Sequence, residues 1–268
     1  MIDKEYLTSS QSRERLDNMA ASTFYRLVDA GKIGTFTPIG KKQKVYVRED
    51  VEVIAKAMHL NGDASIRRLV PDSSGMTDWV QPQDLPYTLA MDYELYGIEG
   101  TLDMAITKPW WEKNPYLSRL LFDKDNRKDM WGGITILPMS EETIFKLLKG
   151  EIHEREITAT DIFVYESGKT YYGYVASAVI RPEHRNELSR LLNSVFSFWC
   201  DQYPTVQLSK IYASAYSKEG LGLIKHLFFS PRYDLGKDIY ELEPYRYNPS
   251  KVIQRFQHCI AEKGGRIE

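Results

Sequence analysis

The chain has 268 residues, enough for two domains or one large one. Its 43% hydrophobic and 27% charged residues suit a soluble globular protein, and a formal net charge of -2 excludes a uniformly basic nucleic-acid binder while allowing a local basic patch. Cys200 and Cys259 show no CxxC spacing and imply neither a disulfide framework nor a zinc site, and no apolar run reaches the ~20 residues of a membrane span.

The opening MIDKEYLTSS lacks the apolar stretch of a signal peptide, so a cytoplasmic setting without membrane contact is expected. LTSSQSRERLDNM offers caps at Thr8 to Ser10, then a short helix burying Leu16, with Met19 closing the turn. In STFYRLVDAG, Ser22 caps a second helix starting at Thr23, Phe24, Leu27 and Val28 face inward, and Gly31 stops the helix. GTFTPIGKKQKVYVRED then reads as a strand pair around Gly40, with Val45 and Val47 on one side and Lys44, Tyr46 and Arg48 on the other. REDVEVIAKAMH is a third helix that opens on acids, as its dipole favours. Residues 1–58 hold ten Lys/Arg against eight Asp/Glu, and from Ala30 to Arg48 there are five basic residues and no acidic one.

Two short helices, a tight turn and a basic hairpin resemble the winged helix-turn-helix of the MerR and excisionase-like group, over residues 6–58. The resemblance implies double-stranded DNA as partner. It makes Ser22, Thr23, Tyr25 and Arg26 the recognition-helix contacts, and Lys41, Lys42, Lys44 and Arg48 the backbone contacts of the wing. Arg13 and Arg15 depart from the small apolar residues usual in the first helix of that group.

Residues 61–86 are turn-rich (NGDAS, PDSSGM, QPQDLP) and read as a linker anchored by Trp79. A mixed pattern follows. TLDMAITKPWWEKNP is a helix ending before Pro115, and YLSRLLFDKDNRKDMWGGITILPM is two strands about Asp123 to Asn126. SEETIFKLLKGE is a capped helix stopped at Gly150, DIFVYES a short strand and TYYGYVASAVIRP a buried central strand. EHRNELSRLLNSVFSFWCDQY is a helix, KIYASAYS a strand, KEGLGLIKHLFF a helix and IYELE a closing strand. The tail has a cap at Ser250, a stop at Gly264 and one apolar stripe through Val252, Ile253, Phe256, Cys259 and Ile260, which either folds back or pairs with a second subunit.

YVASAVIRPEHRNELSRLL and ASAYSKEGLGLIKHLFFSPRYDLGKDIYEL carry a resemblance to GNAT acetyltransferases covering residues 87–245. The resemblance implies acetyl-CoA or another acyl-CoA, its pantetheine arm on the backbone of Ala178, Val179 and Ile180 and its diphosphate on amides at the start of the next helix. Here that stretch has no glycine and places Glu187 near the expected phosphates, with Arg181 and Arg185 as the compensating charges. Ile224 stands where the family's thiolate-protonating tyrosine would be, with Tyr212 and Tyr216 nearby, and Phe228 replaces its glycine. No catalytic residue is assigned on this basis, and the five histidines show no metal spacing.

The expected fold is therefore α+β. A small winged helix-turn-helix (1–60) and a linker (61–86) precede a mixed α/β GNAT-like domain (87–245) and a C-terminal helix (246–268). The function expected is a DNA-binding, transcriptional regulator whose GNAT-like part has lost catalysis and senses a ligand or protein partner; the alternatives are a DNA-tethered N-acetyltransferase and an excisionase-like accessory protein of a mobile element.

Overall fold

The computed structural model describes residues 6–29, 31–37, 43–61, 75–97 and 100–268. The chain divides into two units, Met1–Ser74 and Gly75–Glu268.

In the first unit, strand β1 (Tyr6–Leu7) leads into helices α1 (Ser9–Arg15) and α2 (Ala21–Asp29), followed by β2 (Thr35–Phe36), β3 (Val45–Val47) and α3 (Arg48–Asn61). The three strands form an antiparallel sheet in the order β1-β3-β2. Thr8 and Gln11 form a reciprocal cap on α1, which supplies partners for amides that the first turn leaves free. The turn into α2 passes through Asp17 and Asn18 at φ 52° and 57°, a left-handed conformation these short polar side chains tolerate. Arg13, on α1, braces that turn, its Nε donating to the Met19 carbonyl at 2.8 Å.

Leu16, Phe24 and Leu27 are buried as expected, and Gly31 adopts φ +67°. Three expectations are corrected. Helix α2 starts at Ala21, so Ser22 lies in its first turn rather than capping it. Tyr46 faces the core, edge-on to Phe24 at 4.9 Å, while Val45 and Val47 are half-buried, because the register of this short strand gives the inward place to the larger ring. Arg48 is the first residue of α3, 3.8 Å from Glu52, and not part of the hairpin.

The second unit begins with strand β4 (Gly75–Trp79), inside the stretch expected to be a linker. Helices α4 (Leu85–Tyr96) and α5 (Met104–Lys113) follow, then β5 (Ser118–Asp123), β6 (Asn126–Met139) and α6 (Glu141–Leu148). Next come β7 (Lys169–Ile180), α7 (Leu188–Gln202), β8 (Val206–Ser214), α8 (Lys218–His226), β9 (Ser230–Pro231), β10 (Ile239–Leu242) and α9 (Lys251–Glu262). Among the described residues, seven strands make one sheet, β4-β5-β6-β7-β8-β10-β9, in which only β7 and β8 run parallel.

Alternation along the strands gives the sheet two apolar faces. Leu121, Trp131, Tyr171, Leu208 and Ile211 join α7 and α9, whereas Leu137, Met139, Tyr174 and Tyr212 join α5 and α6. Leu120, Phe122 and Val179 pack with Val80, Leu85 and Met91. One ion pair pins the start of α4: Arg127 reaches Asp84 at 2.7 Å and Asp78 at 2.8 Å, with Asp84 only 2% exposed.

DIFVYES forms no strand; Phe163 donates its amide to the Pro138 carbonyl at 2.8 Å and Ile162 is buried. The tail helix folds back. Val252, Ile253, Phe256 and Ile260 enter the α7 core, and Cys200 and Cys259, with Cα atoms 6.2 Å apart, form a disulfide between α7 and α9. This corrects the reading that the cysteine spacing implies no disulfide: their separation of 59 residues hid a juxtaposition made by helix packing. No helix among the described residues is long and apolar enough to cross a membrane.

Candidate functional site

The site begins where strand pairing ends. β7 and β8 pair from Lys169↔Val206 to Tyr174↔Tyr212 and then part. β7 continues to Ile180, held on its other edge by β6 as far as Gly132↔Ile180, and β8 stays paired to β10 up to Ser214↔Ile239. The edge of β7 facing β8 is thus without a strand partner from Val175 onward. A cleft of about 710 Å³ fills the wedge. Val175, Leu192, Val195, Leu223, Ile224 and Phe229 supply apolar walls, and Ala176, Ser177, Ala178, Ala213, Ser214 and Ala215 keep them apart by being small.

Polar groups gather on one side of this cleft. Glu154, from the turn before β7, accepts a hydrogen bond from the Tyr174 hydroxyl at 2.7 Å. Burial raises the Glu154 carboxyl above its usual range, against the opposing effect of the Tyr174 bond. Tyr174 is itself raised, first by burial and then by the Glu154 charge, and stays a donor. Asp92, on α4, is pushed up to about 6 by burial, with Glu154 adding to the effect and a hydrogen bond with Ser177 opposing it. Tyr96 also bonds to Ser177 and is raised by burial. A smaller cavity of about 100 Å³ extends from Tyr96, Ser177 and Glu154 towards Asp92 and Trp111. Two carboxyls raised by burial face hydroxyls and an apolar hollow, and in their ionised forms they can accept a proton from a bound amine.

The predicted residues fare unevenly. Ala178 lines the cleft, whereas Val179 is buried on the opposite side with Val80 and Met91, and Ile180 sits at the strand end. Tyr212 turns away, its hydroxyl on Glu141, while Tyr216 lines the mouth at 82% exposure. Ile224 is buried in the wall. Phe228 adopts φ 55°, so the left-handed turn expected of a glycine persists without one.

The loop that would receive a diphosphate fits poorly. After β7 the chain makes a tight turn, Pro182–Glu187, before α7. Pro182 has no N–H to offer, and the amides of Arg181 and His184 are bonded to Trp131 and Arg181 carbonyls at 2.7 and 2.9 Å. Glu187, with an 11% exposed side chain, places a carboxylate at the start of α7. Arg181 is held bidentately by Glu94 at 2.9 and 2.7 Å, and Arg185 lies 3.4 Å from Glu219, so both compensating charges are already paired.

In the first unit Ser22, Tyr25, Arg26 and Lys44 are exposed and Thr23 is half-buried. The Tyr25 hydroxyl lies 3.1 Å from that of Ser9. Lys41 and Lys42 lie outside the described residues. No group of three or more potential metal ligands occurs among the described residues.

No family model matches the chain, and no curated protein matches it. Solved structures similar in chain path include the loading GNATL domain of CurA from Lyngbya majuscula, at 13% identity, covering 68% of this chain and 82% of that one with a TM-score of 0.39. Naa50 of Arabidopsis thaliana, in complex with a bisubstrate analogue, is 12% identical over 63% of this chain and 99% of its own, TM-score 0.41. NAA60 of Arabidopsis thaliana, in complex with acetyl-CoA, is 15% identical with the same coverages and a TM-score of 0.40. The strand, helix, strand, helix, strand order that carried the GNAT resemblance is present as β7, α7, β8, α8 and β10.

Proposed function

We propose that residues 75–268 form an acyltransferase that moves an acyl group from a thioester to an amine. The observation that carries this reading is the unpartnered β7 edge beside a deep apolar cleft with Glu154 in its wall. An extended, amide-bearing thioester arm can add to that edge as a strand would, main chain to main chain. On the acceptor side, Asp92 and Glu154 take the proton that the attacking nitrogen must lose. The new bond is C–N, the broken one C–S, and the leaving group a thiolate. Two raised carboxyls beside the cleft support chemistry over ligand sensing, for which their desolvation would be a cost without a use.

Thiol release from acetyl-CoA, followed colorimetrically across a panel of primary amines, tests this reading. Amine-dependent release is expected, and Glu154→Gln should slow it by about 100-fold or more, the usual contribution of a general base. Absence of both release and thioester binding would reject it.

The exposed outer face of α2 favours a second property, contact with double-stranded DNA by the first unit. Ser22, Tyr25 and Arg26 are exposed on α2 and Lys44 is exposed just before β3, which supports the recognition-helix and wing reading. Anisotropy of a labelled random duplex at rising salt tests it. Binding should weaken with salt, and Arg26→Ala with Lys44→Glu should reduce it further. Binding that is absent at low salt would leave this unit a protein-docking module.

A further inference from the structure

We infer that the cleft recognises its donor through the pantetheine-type thioester arm and acyl group alone, and that the nucleotide diphosphate of coenzyme A contributes nothing to binding. This rests on the acyl-transfer reading above and names the donor class of that same site.

Three independent features of the mouth point this way. A helix N-terminus attracts an anion only while its amides and dipole are free. Here Glu187 places a carboxylate at the start of α7, bonded to Arg190 at 2.8 Å rather than to the helix amides, so an incoming diphosphate meets a like charge there. The turn before it begins with Pro182, which has no N–H, and holds no glycine, so one donor and the close backbone approach that a glycine permits are missing. The two nearby guanidinium groups already face carboxylates: Arg181 is held bidentately by Glu94 on α4, and Arg185 lies 3.4 Å from Glu219 on α8. His184, the remaining basic side chain of the turn, lies flat on Trp131 with ring centroids 4.0 Å apart.

The cleft below the mouth is of the opposite character. Its apolar walls and unpartnered β7 edge match an extended arm carrying amides and no charge. Such an arm reaches a protein either on a free thioester or attached to the serine phosphate of a carrier protein, and the structure selects the arm common to both.

Calorimetric titration of the full chain with acetyl-CoA, S-acetylpantetheine and adenosine 3′,5′-bisphosphate tests the inference. Acetyl-CoA and S-acetylpantetheine should bind within about threefold of each other, less than the 1.4 kcal/mol of a tenfold ratio, and the bisphosphate should not bind. Glu187→Gln, which frees the start of α7, should shift the balance towards acetyl-CoA. A preference for acetyl-CoA of about 100-fold, as several charge-assisted contacts to phosphate would give, overturns the inference while leaving acyl transfer intact. Binding of none of the thioesters, loaded carrier protein included, overturns the acyl-transfer reading itself. Tighter binding of an acyl-loaded carrier protein than of S-acetylpantetheine supports the inference and identifies the carrier as the source; parity identifies the free thioester.

Discussion

Replacing Asp92 by asparagine should make residues 75–268 more stable at neutral pH. Burial holds this carboxyl at about 6 against its ordinary 3.8, with the charge of Glu154 adding and the Ser177 hydrogen bond subtracting. Between those two values the folded protein keeps a proton that the unfolded chain has released. The associated stability is fully present below 3.8 and is lost as pH rises through about 6. Just over two pH units, at about 1.4 kcal/mol each, amount to about 3 kcal/mol at pH 7.5 and only about 1 kcal/mol at pH 4.5.

Asparagine keeps the shape and a hydrogen bond to Ser177 without the charge. The variant should therefore gain up to about 3 kcal/mol at pH 7.5 and about a third of that at pH 4.5. All five tryptophans lie at or beyond Trp79, so urea unfolding followed by tryptophan fluorescence reports this unit alone. A variant no more stable than the parent at pH 7.5, or one with the same difference at both pH values, would refute the reasoning. The same substitution should impair acyl transfer, since a charge kept at a stability cost is characteristic of a working site.

Arg127→Met leaves Asp84 buried and unpaired, and should destabilise the unit by about 3–5 kcal/mol in the same unfolding assay, with Asp84→Leu added in the double variant recovering most of the loss. Gly132→Ala places a Cβ 2.6 Å from the Val179 carbonyl oxygen, so β7 must shift; a cost of about 1–3 kcal/mol and faster amide exchange from Val175 to Ile180 are expected. Cys259→Ser, or reduction, frees α9 from α7, and for a separation of 59 residues the chain-entropy argument gives a loss of about 4 kcal/mol, read as a lower thermal midpoint than that of the oxidised protein.

Long periodic segments with caps were legible from residues alone. Ser140 caps α6, Gly150 and Gly264 stop their helices at φ +73° and +80°, and the β5–β6 hairpin turns at Asp123 to Asn126. Strand β4 was not, because GMTDW has no apolar alternation. It is held by pairing with β5 and by Arg119 lying 5.0 Å over the Trp79 ring, both contacts distant in sequence. The inward turn of Tyr46 was missed for a related reason: three residues are too few for period-two alternation to outweigh the filling of space beside Phe24. The polar side of the site escaped a linear reading because α4, the turn before β7 and β7 itself each supply a single group. Asp92, Glu154 and Tyr174 share no local motif, and only burial and proximity mark them.

One signal of the cleft was nevertheless written in the sequence. Ala-Ser-Ala occurs twice, at 176–178 on β7 and at 213–215 at the end of β8, on the two segments that part. A buried parallel strand normally carries large branched residues that fill the space above it. Here Gly132 and Gly173 let β7 lean close to β6, where a Cβ would meet the Val179 oxygen at 2.6 Å or the Ile136 side chain at 2.7 Å. The bulge between Thr135 and Ile136 falls within the same strand pair, where added twist turns β7 from its parallel neighbour. Small residues then leave the resulting wedge open. A core would close on itself at this point, and a pair of strands that forgo both hydrogen bonds and packing along the same segments has given up stability that a bound, extended ligand can restore.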